Sequence, residues 1–263
     1  MRKKRVVITM PLLLTAVSFA ATACVGGVRV GDLQTKSQTV ELGDADSVNV
    51  EIQMGAGELD VSGGASELLE ASFTYNVEEL NPQATYAGGR LEVKDSDVDE
   101  GVGSLFDVDE YRNEWDLKLN EDTPMEMRID LGAGRANLAL GDLALTSLNM
   151  DAGAGDVDLD LNGSQSLSQL DLNMGAGEVT IDLTGEWQRD LDARIAGGLG
   201  DINLRLPGDV GVSIEVETGI GDVDASGLTK DGDTYTNDAY GVSDVTLRID
   251  IDGGVGQIIL DVE

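Results

Sequence analysis

One short phrase recurs through this chain: two glycines separated by one residue, then a polar residue, then alternating aliphatic residues. It reads GAGELDV from Gly55, GAGRANLAL from Gly132, GAGDVDLDL from Gly153 and GAGEVTIDL from Gly175. It continues as GLGDINLRL from Gly198, GIGDVDA from Gly219 and GVGQIILDV from Gly254. From Gly132 the steps are 21, 22, 23 and 21 residues, then 35. A near-constant period of this length means stacked supersecondary units, because one such unit cannot bury its apolar face alone.

The residues around each glycine pair alternate in polarity, as half-buried strands do. Before the pair come Met127, Ile129 and Leu131; Leu148, Met150 and Ala152; Leu170, Leu172 and Met174. After it come Val157, Leu159 and Leu161; Val179, Ile181 and Leu183; Ile202, Leu204 and Leu206. The pattern predicts a parallel β-solenoid of 21–23-residue repeats, each with two strands joined at a Gly-x-Gly turn, and rungs about 4.8 Å apart. The turn glycines are Gly55 and Gly57, Gly132 and Gly134, Gly153 and Gly155, Gly175 and Gly177, Gly198 and Gly200, Gly219 and Gly221, Gly254 and Gly256. A chain reversal with close backbone contact between rungs demands positive φ and no Cβ. A phosphate cradle would need a following helix and a third glycine or a Lys-Ser/Thr pair. A calcium-binding nonapeptide repeat would need a different period, with the acid displaced by one residue. The glycines are therefore structural.

Composition narrows the chemistry. Aromatic residues make up only 4% of the chain, which suits thin aliphatic layers. The formal charge is −33, with 17 basic against 50 acidic residues. Without Arg2, Lys3, Lys4 and Arg5 the balance becomes 13 against 50, a net of −37. Such a surface repels phosphate backbones, so nucleic acid is not a partner. There is no histidine, which removes the commonest general base and metal ligand. The single cysteine, Cys24, excludes an internal disulfide framework.

Residues 1–23 have a basic start, an apolar run from Val6 to Phe19 and small residues after it, the order of an export signal. The ending Ala21-Thr22-Ala23-Cys24 resembles the lipobox of bacterial lipoproteins. That resemblance implies lipidation of Cys24 and a membrane anchor on the extracytoplasmic face. Residues 24–45 read as a tether, 46–125 as an N-terminal β domain and 126–263 as the solenoid.

Within the N-terminal part, Phe73, Tyr75, Tyr86 and Trp115 fall at strand spacing and are expected to form a side core. Asp95 to Glu110 reads as a solvated acidic loop, and Gly227 to Asp244 as a projecting loop or hairpin. Gly253 to Glu263 reads as the strand pair that closes the stack. The runs GAGELDVSGGA (55–65), FTYN (73–76), LNPQATY (80–86) and WDLKLN (115–120) resemble the N-terminal domain of the toast-rack family. The later repeats are similar to bacterial putative-adhesin and cell-wall-active antibiotic response repeats. The resemblance implies a β-solenoid protein of the cell envelope.

Two expectations about chemistry follow. In-register stacking would place Asp156, Glu178, Asp201 and Asp222 in one column of like charge, which a weakly bound Ca²⁺ could shield. Trp187, in the corner GEWQRD, is a packing residue or a sugar platform. Carboxylates are plentiful enough for glycoside hydrolysis, but they are strewn as a solvated face would be, so the chain is not read as an enzyme. The favoured role is a non-catalytic binding or scaffold module that meets an envelope protein or polymer. The alternatives are an envelope-stress regulator and a polysaccharide-active enzyme.

Overall fold

The computed structural model describes residues 30–43, 45–96 and 111–263. Cys24, the export signal and residues 97–110 lie outside them. Among the described residues, seventeen strands join in one hydrogen-bonded network. The protein is all-β, mostly strand, with repeat-like stacking.

The first four rungs are β2 (Val48–Ser62), β7 (Met125–Ala139), β8 (Leu145–Asp160) and β9 (Gln169–Asp182). Each runs through its glycine pair as one strand, so the corner is a bend and not the expected reversal. A bend suffices because the two halves of a rung lie on two walls around one core. The register is strict: Gly57 sits opposite Gly134, Gly134 opposite Gly155 and Gly155 opposite Gly177. The inward residues of the repeats are almost all buried, among them Ile129, Leu159, Ile181, Leu204 and Leu260. Val223, Ala225 and Val262, in the last two rungs of the stack, are only partly covered.

The fifth rung is β10 (Leu191–Leu199) with β11 (Ile202–Leu206), stacked on β9. The next rung in space is not the next in sequence. β12 (Gly211–Ile220) and β13 (Val223–Ser226) stand one place further out. Between them and the fifth rung lie β16 (Thr246–Val255) and β17 (Ile258–Val262), parallel to both neighbours. The strand pair expected to close the stack is thus inserted within it. The alternation of β16 fits either position equally, so periodicity alone could not place it. Two carboxylates of the fifth rung clip the inserted one. Asp190 accepts Thr246 N–H at 2.9 Å and Arg248 Nη1 at 3.1 Å, and Asp201 accepts Gln257 N–H at 2.8 Å.

The segment expected to project is instead the cap. β14 (Thr229–Asp231) and β15 (Thr234–Thr236) form a hairpin, and β15 pairs antiparallel with β12. Tyr235 is buried there. Asn237 holds the cap: its Oδ1 accepts Val212 N–H, and its Nδ2 donates to the Pro207 and Val210 carbonyls. The hairpin covers part of the edge that a solenoid must not leave open.

At the other end β2 is flanked by β5 (Arg90–Lys94) along its first half and β6 (Asn113–Leu119) along its second, both parallel. β4 (Gln83–Ala87) pairs antiparallel with β5, and β3 (Leu69–Tyr75) antiparallel with β6. Phe73 and Trp115 meet edge to face, with centroids 5.5 Å apart, as the aromatic pattern predicts. β1 (Gln34–Val40) adds antiparallel to β3. The stretch expected to be pure tether is therefore an edge strand from Gln34 onward. Backbone pairing holds it, reinforced by Lys36 donating to the Asn81 side chain and the Pro82 carbonyl.

Candidate functional site

The glycine corner carries an open, shallow groove of about 860 Å³ across the first four rungs. Its floor is the column Met54, Leu131, Ala152 and Met174, in register from strand to strand. Beside it run the bare Cα atoms of Gly55, Gly132, Gly153 and Gly175. These glycines lack a Cβ for a packing reason: a Cβ on Gly153 would lie 2.3 Å from the Gly132 carbonyl oxygen. The second glycine of each pair adds a conformational need, with φ of +130° at Gly155 and +135° at Gly177. The expectation of positive φ thus holds for the second glycine, while the first is required only by the tight stacking.

One rim of the groove is a charged relay. Arg128 Nη2 lies 2.7 Å from Asp130 Oδ1 and 2.6 Å from Asp151 Oδ2, and Asn173 Nδ2 donates to Asp151 Oδ1 at 2.9 Å. Hydrogen bonding to Asp130, with the charges of Asp130 and Asp151, raises the Arg128 pKa. The other rim is Leu80, Lys94, Asp95 and Ser96. Asp95 Oδ2 accepts the N–H of Gly55 at 3.1 Å, which ties this rim to the first corner. Burial pushes its carboxyl up to about 6, against the opposing pull of hydrogen bonds from Gly55 and Asn113. Tyr111 donates to the Ala56 carbonyl at 2.8 Å, and burial and the Asp95 charge raise its phenol to about 12. Sequence reasoning placed Asp95 in a solvated loop. Its partners are 40 and 18 residues away, so no local signal marked it.

The acidic column is built differently from its expectation. Asp156 and Glu178 are direct neighbours. Asp201 and Asp222 are separated by the inserted rung, which brings Gln257 between them. Each of the first three acids has its own relief: Arg135 lies 3.6 Å from Asp156, Asn203 donates to Glu178 at 2.8 Å, and the Gln257 N–H reaches Asp201. Among the described residues no group of three or more Asp, Glu, His or Cys side chains converges as a metal site would. Trp187 is buried and donates to the Leu183 carbonyl at 2.8 Å, so it packs a corner and offers no face to a sugar.

A groove with a relay of paired charges on one rim and one half-buried carboxylate on the other can hold an extended ligand. The family model described as the N-terminal domain of toast_rack, DUF2154, matches residues 29–166 and 164–205. The chain belongs to the toast-rack family. Among solved structures, this toast-rack protein is similar to one described as a "putative cell adhesion protein" from Clostridium sporogenes ATCC 15579, at 28% identity and a TM-score of 0.68. That likeness covers 88% of this chain and 100% of the other. A "putative adhesin" from Parabacteroides distasonis ATCC 8503 aligns at 13% identity and a TM-score of 0.36, over 86% of this chain and 97% of that one. A "putative lipid binding protein" from the same strain aligns at 13% and 0.35 over the same shares. At such scores neither bears on function. No curated protein matches the chain.

Proposed function

We propose that this toast-rack protein is an extracytoplasmic, non-catalytic binding or scaffold module, built from 21–23-residue Gly-x-Gly rungs and held to the membrane by lipid on Cys24. The observation that carries the reading is the likeness, over 88% of this chain, to the clostridial protein described as a "putative cell adhesion protein". The basic start, apolar run and Ala-Thr-Ala-Cys ending support export and lipidation. A lipid tether with more than one acyl chain gives stable anchoring without a membrane-spanning segment. The glycine groove is the proposed contact face, because its apolar floor is continuous over four rungs while the outer walls are charged.

Two measurements test this. Fractionation of Cys24→Ala should move the protein from the membrane to the soluble or secreted fraction; retention in the membrane overturns lipid anchoring. Pull-down from envelope extracts should capture a protein or polymer that a charge-matched control does not, and capture equal to that control overturns the binding role.

A further inference from the structure

The residue between the two glycines changes character along the stack. In the first four rungs it is Ala56, Ala133, Ala154 and Ala176, all in register. In the last three it is Leu199, Val255 and Ile220, each the final residue of its strand. Leu199 pairs with Val255 and Val255 with Ile220, so the three stand on adjacent rungs in one column. They are 58%, 44% and 71% exposed, while the core residues beneath them are covered. Their exposure gives the direction: three large aliphatic side chains are presented outward in a row. Contiguous exposed apolar surface rimmed by polar groups is the mark of an interaction site.

Carboxylates bracket the row on both sides. Asp201 and Asp222 follow Leu199 and Ile220 by two residues, and Glu217 and Asp252 precede Ile220 and Val255 by three. All four are exposed, and Glu217 and Asp252 are register partners. That bracket decides the occupant by charge complementarity. A second copy docked face to face would bring acidic rows against acidic rows. An anionic bilayer surface would be repelled in the same way. A polypeptide face with an aliphatic stripe flanked by lysine or arginine satisfies both features at once.

We infer that Leu199, Val255 and Ile220, with Asp201, Asp222, Glu217 and Asp252, form a docking ridge for a basic, aliphatic polypeptide segment. The inference rests on the binding-module reading but uses a surface distinct from the glycine groove.

The probe is a synthetic amphipathic peptide of leucine and lysine, measured by calorimetry against the full ectodomain. The wild type should bind it, and a peptide with glutamate for lysine should not bind. The variant Leu199→Ser/Val255→Ser/Ile220→Ser should bind about tenfold more weakly. Amides at Asp201, Asp222, Glu217 and Asp252 should cost as much, whereas amides at the exposed Glu126, Asp142, Asp209 and Asp238 should change affinity less than about twofold. Circular dichroism melting establishes that each variant is folded. Undiminished binding by the serine variant, or equal loss with the control amides, overturns the ridge. So do sedimentation of a dimer that the serine variant abolishes, which makes a second copy the occupant, and binding of phosphatidylcholine vesicles, which makes it lipid. A serine variant that loses the peptide but keeps its envelope partner leaves the groove as the binding face, with the ridge serving another segment. A serine variant that keeps the peptide and the partner alike overturns the ridge alone.

Discussion

Single atoms decide whether a rung can stack. At Gly155 two demands coincide: φ is +130°, and a Cβ would lie 1.7 Å from the Gly134 carbonyl oxygen. Gly155→Ala should destabilise the fold by about 3 kcal/mol or more in urea denaturation, since backbone strain and a steric clash add. Gly163 has φ of +66° with open space around the missing Cβ, so Gly163→Ala should cost only about 1 kcal/mol. Asp95 gives a pH signature. Its carboxyl is raised from 3.8 to about 6, so the folded state binds the proton more tightly than the unfolded chain does. Its contribution is therefore favourable at low pH and is lost as pH rises through the window from about 4 to 6. Asp95→Asn keeps an acceptor for the Gly55 N–H without a buried charge. The variant should gain up to about 3 kcal/mol over wild type at pH 7, less what solvent screening removes, and nothing at pH 3. Thermal melts at the two pH values check this, and an equal difference at both would point to packing instead.

Elements differ in how plainly the sequence announces them. The alternation in LNMDAGAGDVDLDL named the buried face of β8 residue by residue, because burial on one side of a strand imposes period two. The corner glycines were equally legible, since a close-packed column tolerates nothing larger. β1 was not, because an edge strand bonded through its backbone needs no apolar alternation, and QTKSQTV offers little. The place of β16 and β17 was hidden for a different reason. Parallel rungs of one design are interchangeable, and what orders them is side-chain clips such as Asp190 to Thr246, 56 residues apart. The hairpin β14–β15 shows how much one buried amide can carry. Asn237→Ala would leave the Val212 N–H and two carbonyls without their partner, at a cost of about 2–4 kcal/mol. Hydrogen exchange should then quicken first in β15 and β12.

At the scale of the whole molecule the dominant quantity is charge. A net of −33 opposes compaction, and the outer walls temper it locally. Arg128, Arg135, Arg194, Arg205 and Arg248 each lie beside an acid of a neighbouring rung. Exposed pairs of this kind contribute little singly, so the residual repulsion is left to the solvent. The melting temperature should therefore rise with added NaCl, and CaCl2 at matched ionic strength should do no more, since each of the first three acids in the column has a protein partner. A larger rise with Ca²⁺, reversed by chelator, would reveal a cation site on the walls. The same charge shaped the functional reading. From composition it gave only the expectation that nucleic acid is not a partner, whereas the groove and the exposed ridge became visible only once register put Met54 beside Leu131 and Leu199 beside Val255.

The inserted rung also governs how the molecule can assemble in time. A stack whose spatial order follows its sequence can grow one rung at a time, each new pair of strands finding its template already made. Here that growth halts after β10 and β11. The rung β12–β13 has its parallel neighbour in β16–β17, and those strands have not yet been laid down when β12 emerges from the chain. The last rungs must therefore close together, over a loop long enough to slow the search. The chain ends its folding with a cooperative latch, and until the latch shuts, the edge of β10 and β11 stands open.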